Sequence, residues 1–140
     1  LMIRRPPGST RVPYKTLFRS DSLLRAIGEK IKWNHEPYLI ECMNLSSDIL
    51  HENISLIGDG FIGSLLSGLQ KMHREDENFE IKSDVYLSNL EKRVSAAKLA
   101  FQISKYLSNK NEYVPEIIYE WRRVCTSSEE FDEIKNVWLD

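Results

Sequence analysis

The spacing of apolar and polar positions divides the chain beyond residue 20 into segments of different period. Residues 22–33, SLLRAIGEKIKW, place Leu23, Leu24, Ile27, Ile31 and Trp33 at helical intervals, and NHEP at 34–37 breaks the pattern. A second helix is predicted from Tyr38 to about His51, with Tyr38, Ile40, Met43, Leu45 and Leu50 available for burial. The pattern then changes. Ile54–Ile57 is a short apolar run ending at Gly58, as expected of a parallel strand covered on both faces. Phe61, Ile62, Leu65, Leu66 and Leu69 return to helical spacing up to about Arg74. HREDENFE reads as a solvated loop, and Val85–Leu87 as the core of a second strand. LEKRVSAAKLAFQISKYL is an amphipathic helix with Leu90, Val94, Ala97, Ala100 or Phe101, Ile103 and Leu107 on one side. EIIYEWRRV fits a strand or a short helix. TSSEEFDEI opens with N-cap candidates and acids, and NVWL at 136–139 reads as a last strand. Alternating strands and helices imply an α/β fold with a parallel sheet and right-handed crossovers. No internal repeat is evident.

The stretch ISLIGDGFIGSLLSGLQK, residues 54–71, carries the candidate chemistry. GDGFIG is G-x-G-x-x-G, with Gly58, Gly60 and Gly63 in the three glycine positions. Such glycines turn the chain off a strand, admit a pyrophosphate to the backbone, and let the next helix pack closely. The helix N-terminus then favours the negative charge. The expected cofactor contacts are therefore Gly58, Asp59, Gly60, Phe61, Ile62 and Gly63. Asp59 fits less well, because an acid beside a pyrophosphate must point away. The competing reading is a helical-repeat protein with 54–73 as one buried helix. Three glycines inside that helix would each cost about 1 kcal/mol, which favours the Rossmann-like turn.

The end of the second strand selects the nucleotide. With VYLS as the strand, Ser88, Asn89, Lys92 and Arg93 would meet a 2′-phosphate, which favours NADP. With FEIK as the strand, Asp84 would favour a free ribose. ISLIGDGFIGSLLSGLQK, VYLSNLEK and NVWLD together resemble the cofactor domain of the pyrroline-5-carboxylate reductase family and related NADP-dependent oxidoreductases. The resemblance spans about 54–140, with a longer segment between the second and fourth strands. It implies hydride transfer to or from a C=N or C=O carbon of a small-molecule substrate. It also implies catalytic groups in a later domain, so the catalytic residues stay unknown. DVYLSNLEKR at 84–93 also resembles the ThiF-like, ubiquitin-activating adenylation domain. There Asp84 would serve Mg-ATP and Arg93 or Lys92 would contact phosphate, but the expected glutamine loop is absent. IGDGFIGSLLSGL resembles, third, the anion hole of ribokinase-type sugar kinases, with Asp59 as base. A non-catalytic Rossmann sensor or scaffold would keep the fold and lose the reaction.

Composition narrows these readings little. The 140 residues carry a formal charge of −2, which gives no case for nucleic acid or membrane. Charge is uneven, however. Residues 1–20 hold five basic residues and no acid, leaving 14 basic and 21 acidic residues beyond them. LMIRRPPGSTRVPYKTLFRS resembles translated sequencing-adapter read-through, a transit peptide or a polyanion-binding arm being the alternatives. Cys42 and Cys125 show no metal-ligand spacing and imply reduced thiols in a cytoplasmic compartment. No metal is expected. His35, His51 and His73 read as surface histidines, Trp121 and Trp138 as core, and Trp33 as a packing anchor. The expected organisation is a non-native or disordered 1–20, a helical segment at 21–52, and a partial Rossmann domain at 53–140, truncated at its C-terminus. A homo-oligomer formed through a region beyond Asp140 is left open.

Overall fold

A computed structural model describes residues 21–52, 57–77, 83–127, 135–136 and 138. Among them are five helices and no strand: α1 (Asp21–Lys32), α2 (Leu39–His51), α3 (Asp59–Glu77), α4 (Ser83–Asn109) and α5 (Glu116–Ser127). The expected α/β Rossmann-like sheet is thereby overturned, and with it the NADP-dependent oxidoreductase, adenylation and Rossmann-scaffold readings that needed it. Val85–Leu87 lies inside α4 rather than in a strand. Residues 135, 136 and 138, in the supposed last strand and its approach, are helical. Residues 54–56 of the supposed first strand, and residues 1–20, lie outside the described residues.

Local chemistry explains why the glycine stretch begins a helix and not a strand–turn–helix. The Gly58 carbonyl accepts the Ile62 N–H at 3.3 Å, which makes Gly58 the N-cap of α3. Ile57 before the cap and Ile62 in the second turn are both buried and line one cleft, as in a hydrophobic staple. Ile57 is thus an apolar anchor before a helix rather than the end of a buried strand. Asp59 in the first turn complements the helix dipole, which accounts for the acid that suited a pyrophosphate poorly. The glycine penalty is also smaller than three interior residues suggest. Gly58 lies outside the helix and Gly60 in its first turn, so only Gly63 of the three is interior.

The helices stack in two layers. The most extensive pairings are α1 with α3 and α2 with α4, and α5 packs on α4 and α3. Numbering rises together across the α1–α3 crossing. Gly28 faces Ser64, Ile31 faces Gly68, and Lys71 Nζ donates to the Trp33 carbonyl at 3.2 Å. The two helices therefore run parallel. The same holds for α3 and α5: Pro115, just before α5, shares a cleft with Ile62 and Leu66, and Trp121 further along meets His73 and donates through Nε1 to the Leu69 carbonyl at 3.1 Å. The start of α3 shares a cleft with the end of α4, so those two run antiparallel. One layer thus holds α1, α3 and α5 in parallel, and the other holds α2 and α4. Helical hairpins stacked this way are the building plan of α-solenoids.

A single core joins the layers. It includes Ile27 and Ile31 of α1, Leu39, Met43 and Ile49 of α2, Leu65 and Leu69 of α3, Leu99 and Ile103 of α4, and Ile118 and Trp121 of α5. Helix α4 buries Ser95, Ala96, Ala97 and Ala100 besides its larger residues. Small side chains over so broad an arc let three neighbouring helices approach it. The ends of α1 and α4 are both built on left-handed asparagines, Asn34 (φ 52°) and Asn111 (φ 56°). In each, the N–H after the asparagine reaches back five residues, His35 to Lys30 and Glu112 to Leu107, both at 2.9 Å. This is the Schellman pattern, which satisfies terminal carbonyls.

Candidate functional site

The first candidate place is the one chosen from sequence, the start of α3. Gly58, Asp59, Gly60 and Gly63 are exposed there, whereas Phe61 and Ile62 point into the core. This first turn and a half separates two clefts. One, of about 380 Å³, opens toward α1 and is lined by Leu24, Arg25, Glu29, Gly60, Phe61 and Ser64. The other, of about 210 Å³, opens toward the end of α4 and includes Ile62, Gly63, Leu66, Tyr106, Lys110 and Tyr113. A Cβ built on Gly58, Gly60 or Gly63 would meet nothing within 4 Å. No close backbone approach holds these positions to glycine.

The second half of the expected site lies elsewhere. Ser88 and Asn89 belong to the N-terminal part of α4, and Lys92 and Arg93 follow, both half-buried. The residues that reach the glycines from this side are Tyr106 and Leu107 near the end of α4 and Lys110 just beyond it. Lys92 is fifteen residues before Leu107 on one helix, about 22 Å along its axis. The structure therefore does not bring the glycine turn and Ser88, Asn89, Lys92 and Arg93 together.

A second place lies between α3 and α5. His73, expected at the surface, is only 9% exposed. Its ring meets Trp121 edge-on, with centroids 6.1 Å apart, and its Nε2 is 3.9 Å from Glu120 Oε2. Arg123 donates to the same carboxylate oxygen at 2.8 Å. That hydrogen bond and the guanidinium charge hold the Glu120 carboxyl below its usual value, with His73 a minor contributor. Sequence alone gave one usable signal for His73. It follows Leu65, Leu69 and Met72 at the spacing of their buried stripe. His35 and His51 are exposed, as expected, and Trp121 and Trp138 are buried, as expected. Trp33 departs from its reading as an anchor. It is 48% exposed, with its Nε1 donating to Glu29 at 2.9 Å and Lys32 above its ring.

The third place is an open groove of about 710 Å³ between α2 and α4. Ser47, Asp48 and His51 form its α2 wall, and Lys98, Phe101, Gln102 and Lys105 its α4 wall. Phe101 is half-buried, 5.3 Å from the Trp138 ring and 5.6 Å below Lys105 Nζ. The sequence reading named His51 only as a surface histidine and Phe101 only as a possible member of an apolar stripe, and nothing in it joined these residues. They share a face only because α2 and α4 pair across the layer.

Both cysteines are free, Cys125 buried and Cys42 partly so. Burial pushes the Cys125 thiol up to about 12, the Trp138 indole working against it, and also raises Cys42. Neither is an activated thiolate of the kind nucleophilic catalysis uses. Among the described residues no group of three or more histidine, cysteine or acidic side chains could hold a metal ion. Among the same residues no helix is long and apolar enough to cross a membrane. No protein-family model matches the chain, and no curated protein or solved structure matches it significantly.

Proposed function

We propose that this chain is a stack of helical hairpins that binds a segment of another polypeptide. The observation that carries the reading is the layering, with α1, α3 and α5 parallel in one layer and α2 and α4 in the other. Stacked hairpins present rows of side chains along continuous helix-lined surfaces, and proteins of this architecture use such surfaces for extended ligands. The groove between α2 and α4 has the form such a surface takes between successive hairpins. The residues around it are donors, acceptors and one aromatic ring, a set suited to recognition.

Selection from a displayed random-peptide library tests this reading. Enrichment of a shared motif, with NMR shifts on a contiguous helix-lined surface, is the expected result. No enrichment would overturn it.

A further inference from the structure

Charge on the two walls of the α2–α4 groove identifies the kind of segment it accepts. Lys98 and Lys105 are exposed on one face of α4, seven residues apart, which is about 10.5 Å along the helix. Phe101 and Gln102 lie between them on that face. Among the described residues no carboxylate pairs with either lysine, and the nearest partner given to Lys105 is the Phe101 ring. The opposite wall carries one carboxylate, Asp48, and one imidazole, His51. The groove is therefore net positive on a chain whose formal charge is −2.

Building on the polypeptide-binding reading, we propose that this groove docks an acidic, extended segment of a partner protein through two carboxylates flanking an apolar side chain. Side chains on one face of an extended chain recur every second residue at about 3.3 Å per residue, so carboxylates four residues apart, about 13 Å, with an apolar side chain midway, come within reach of the two lysines on their flexible four-carbon stems. An aromatic or long aliphatic side chain between them lies over Phe101. The Gln102 amide, with both a donor and an acceptor, can pair with the segment's backbone. Asp48 opposes the segment's charge and so restricts how closely acids approach the α2 wall.

The test uses the full chain and a fluorescein-labelled eight-residue peptide with two glutamates four apart and one phenylalanine midway between them. Fluorescence anisotropy gives affinity, and a 15N–1H NMR titration locates the contact. Binding is expected to weaken with salt, to fall about tenfold or more in Lys98→Glu/Lys105→Glu, and to strengthen in Asp48→Asn. NMR shifts are expected in 47–51 and 98–105. Both lysines are exposed, so the double variant is expected to keep the wild-type circular dichroism spectrum. A peptide with lysines in place of the glutamates is expected not to bind. Equal binding of the acidic and basic peptides, no binding of either, or binding unchanged by the double variant would overturn the proposal. So would a self-associating chain whose dimer is lost in the double variant, because the occupant would then be a second copy. Library peptides that bind normally to the double variant would sink the groove while leaving the polypeptide-binding reading intact. An empty library selection would sink both.

Discussion

Four glycines lie between residues 58 and 68, and they do opposite things. Gly58, Gly60 and Gly63 stand at the exposed start of α3, where an added Cβ would meet nothing. Gly68, one helical turn and a half beyond Gly63, lies where α3 crosses α1. A Cβ there would collide with the Ile31 carbonyl group, 2.7 Å from its carbon. Gly28 on the other helix is tight but less so, 3.2 Å from the Ser64 Cβ. The Asn34 side chain, which donates to the Ile31 carbonyl at 2.7 Å and the Gly68 carbonyl at 3.2 Å, ties the same crossing. The glycines that form a motif are conformationally idle, and the glycine outside the motif fixes the fold. A glycine pattern reports that Cβ atoms are missing, and only the neighbours say why.

Substitution at Gly68 should break the contrast most strongly. Gly68→Val is expected to unfold the chain, and Gly68→Ala to cost about 1–3 kcal/mol in urea unfolding despite the better helix propensity of alanine. The backbone of Ile31, unlike a side-chain tip, cannot rotate away. An unchanged midpoint for Gly68→Ala would show that α1 and α3 do not cross there.

Trp121→Phe comes next. It removes the donor to the Leu69 carbonyl and should cost about 1–2 kcal/mol, loosening α5 from α3. The same measurement checks it, and a neutral effect would place α5 elsewhere.

Cys125 gives a smaller, pH-dependent effect. Its folded-state pKa is raised from 9.0 to about 12, so the neutral thiol stabilises the native state. That contribution is complete below pH 9 and is lost as pH rises from 9 toward 12. Wild type should therefore lose more stability than Cys125→Ala across this window. Parallel curves would place the thiol in solvent.

Gly63→Ala has the smallest effect and the opposite sign. An exposed interior glycine with open space around it should give up about 0.5–1 kcal/mol of stabilisation when replaced by alanine. Destabilisation there would mean a constraint on Gly63 that the helix does not impose.

Helices with a clean apolar stripe were legible from sequence. The predicted 22–33 and 38–51 match α1 and α2 to within a residue. The stretch from Phe61 to Arg74 matches most of α3. Short apolar runs were not legible, because Ile54–Ile57 and Val85–Leu87 are compatible with a buried strand or with one turn of helix. The structure places Val85–Leu87 in the first turns of a 27-residue helix, which removes the second strand. Once two strands had been assumed, three glycines completed a strand–turn–helix, and Ser88, Asn89, Lys92 and Arg93 followed as cofactor contacts. The helical-repeat alternative loses only where the glycine penalty is counted for three interior residues instead of one. The α2–α4 groove was invisible for a different reason. Asp48 and Lys98 are fifty residues apart, and only the pairing of hairpins places them on one surface.

The decisive measurement is backbone NMR assignment of the chain, read as 13Cα secondary shifts across residues 83–109. A stack of helical hairpins requires uninterrupted helical shifts through Val85, Tyr86 and Leu87 into Leu90. Extended shifts at 85–87, followed by a helix beginning near Leu90, would restore the strand and contradict the helical fold.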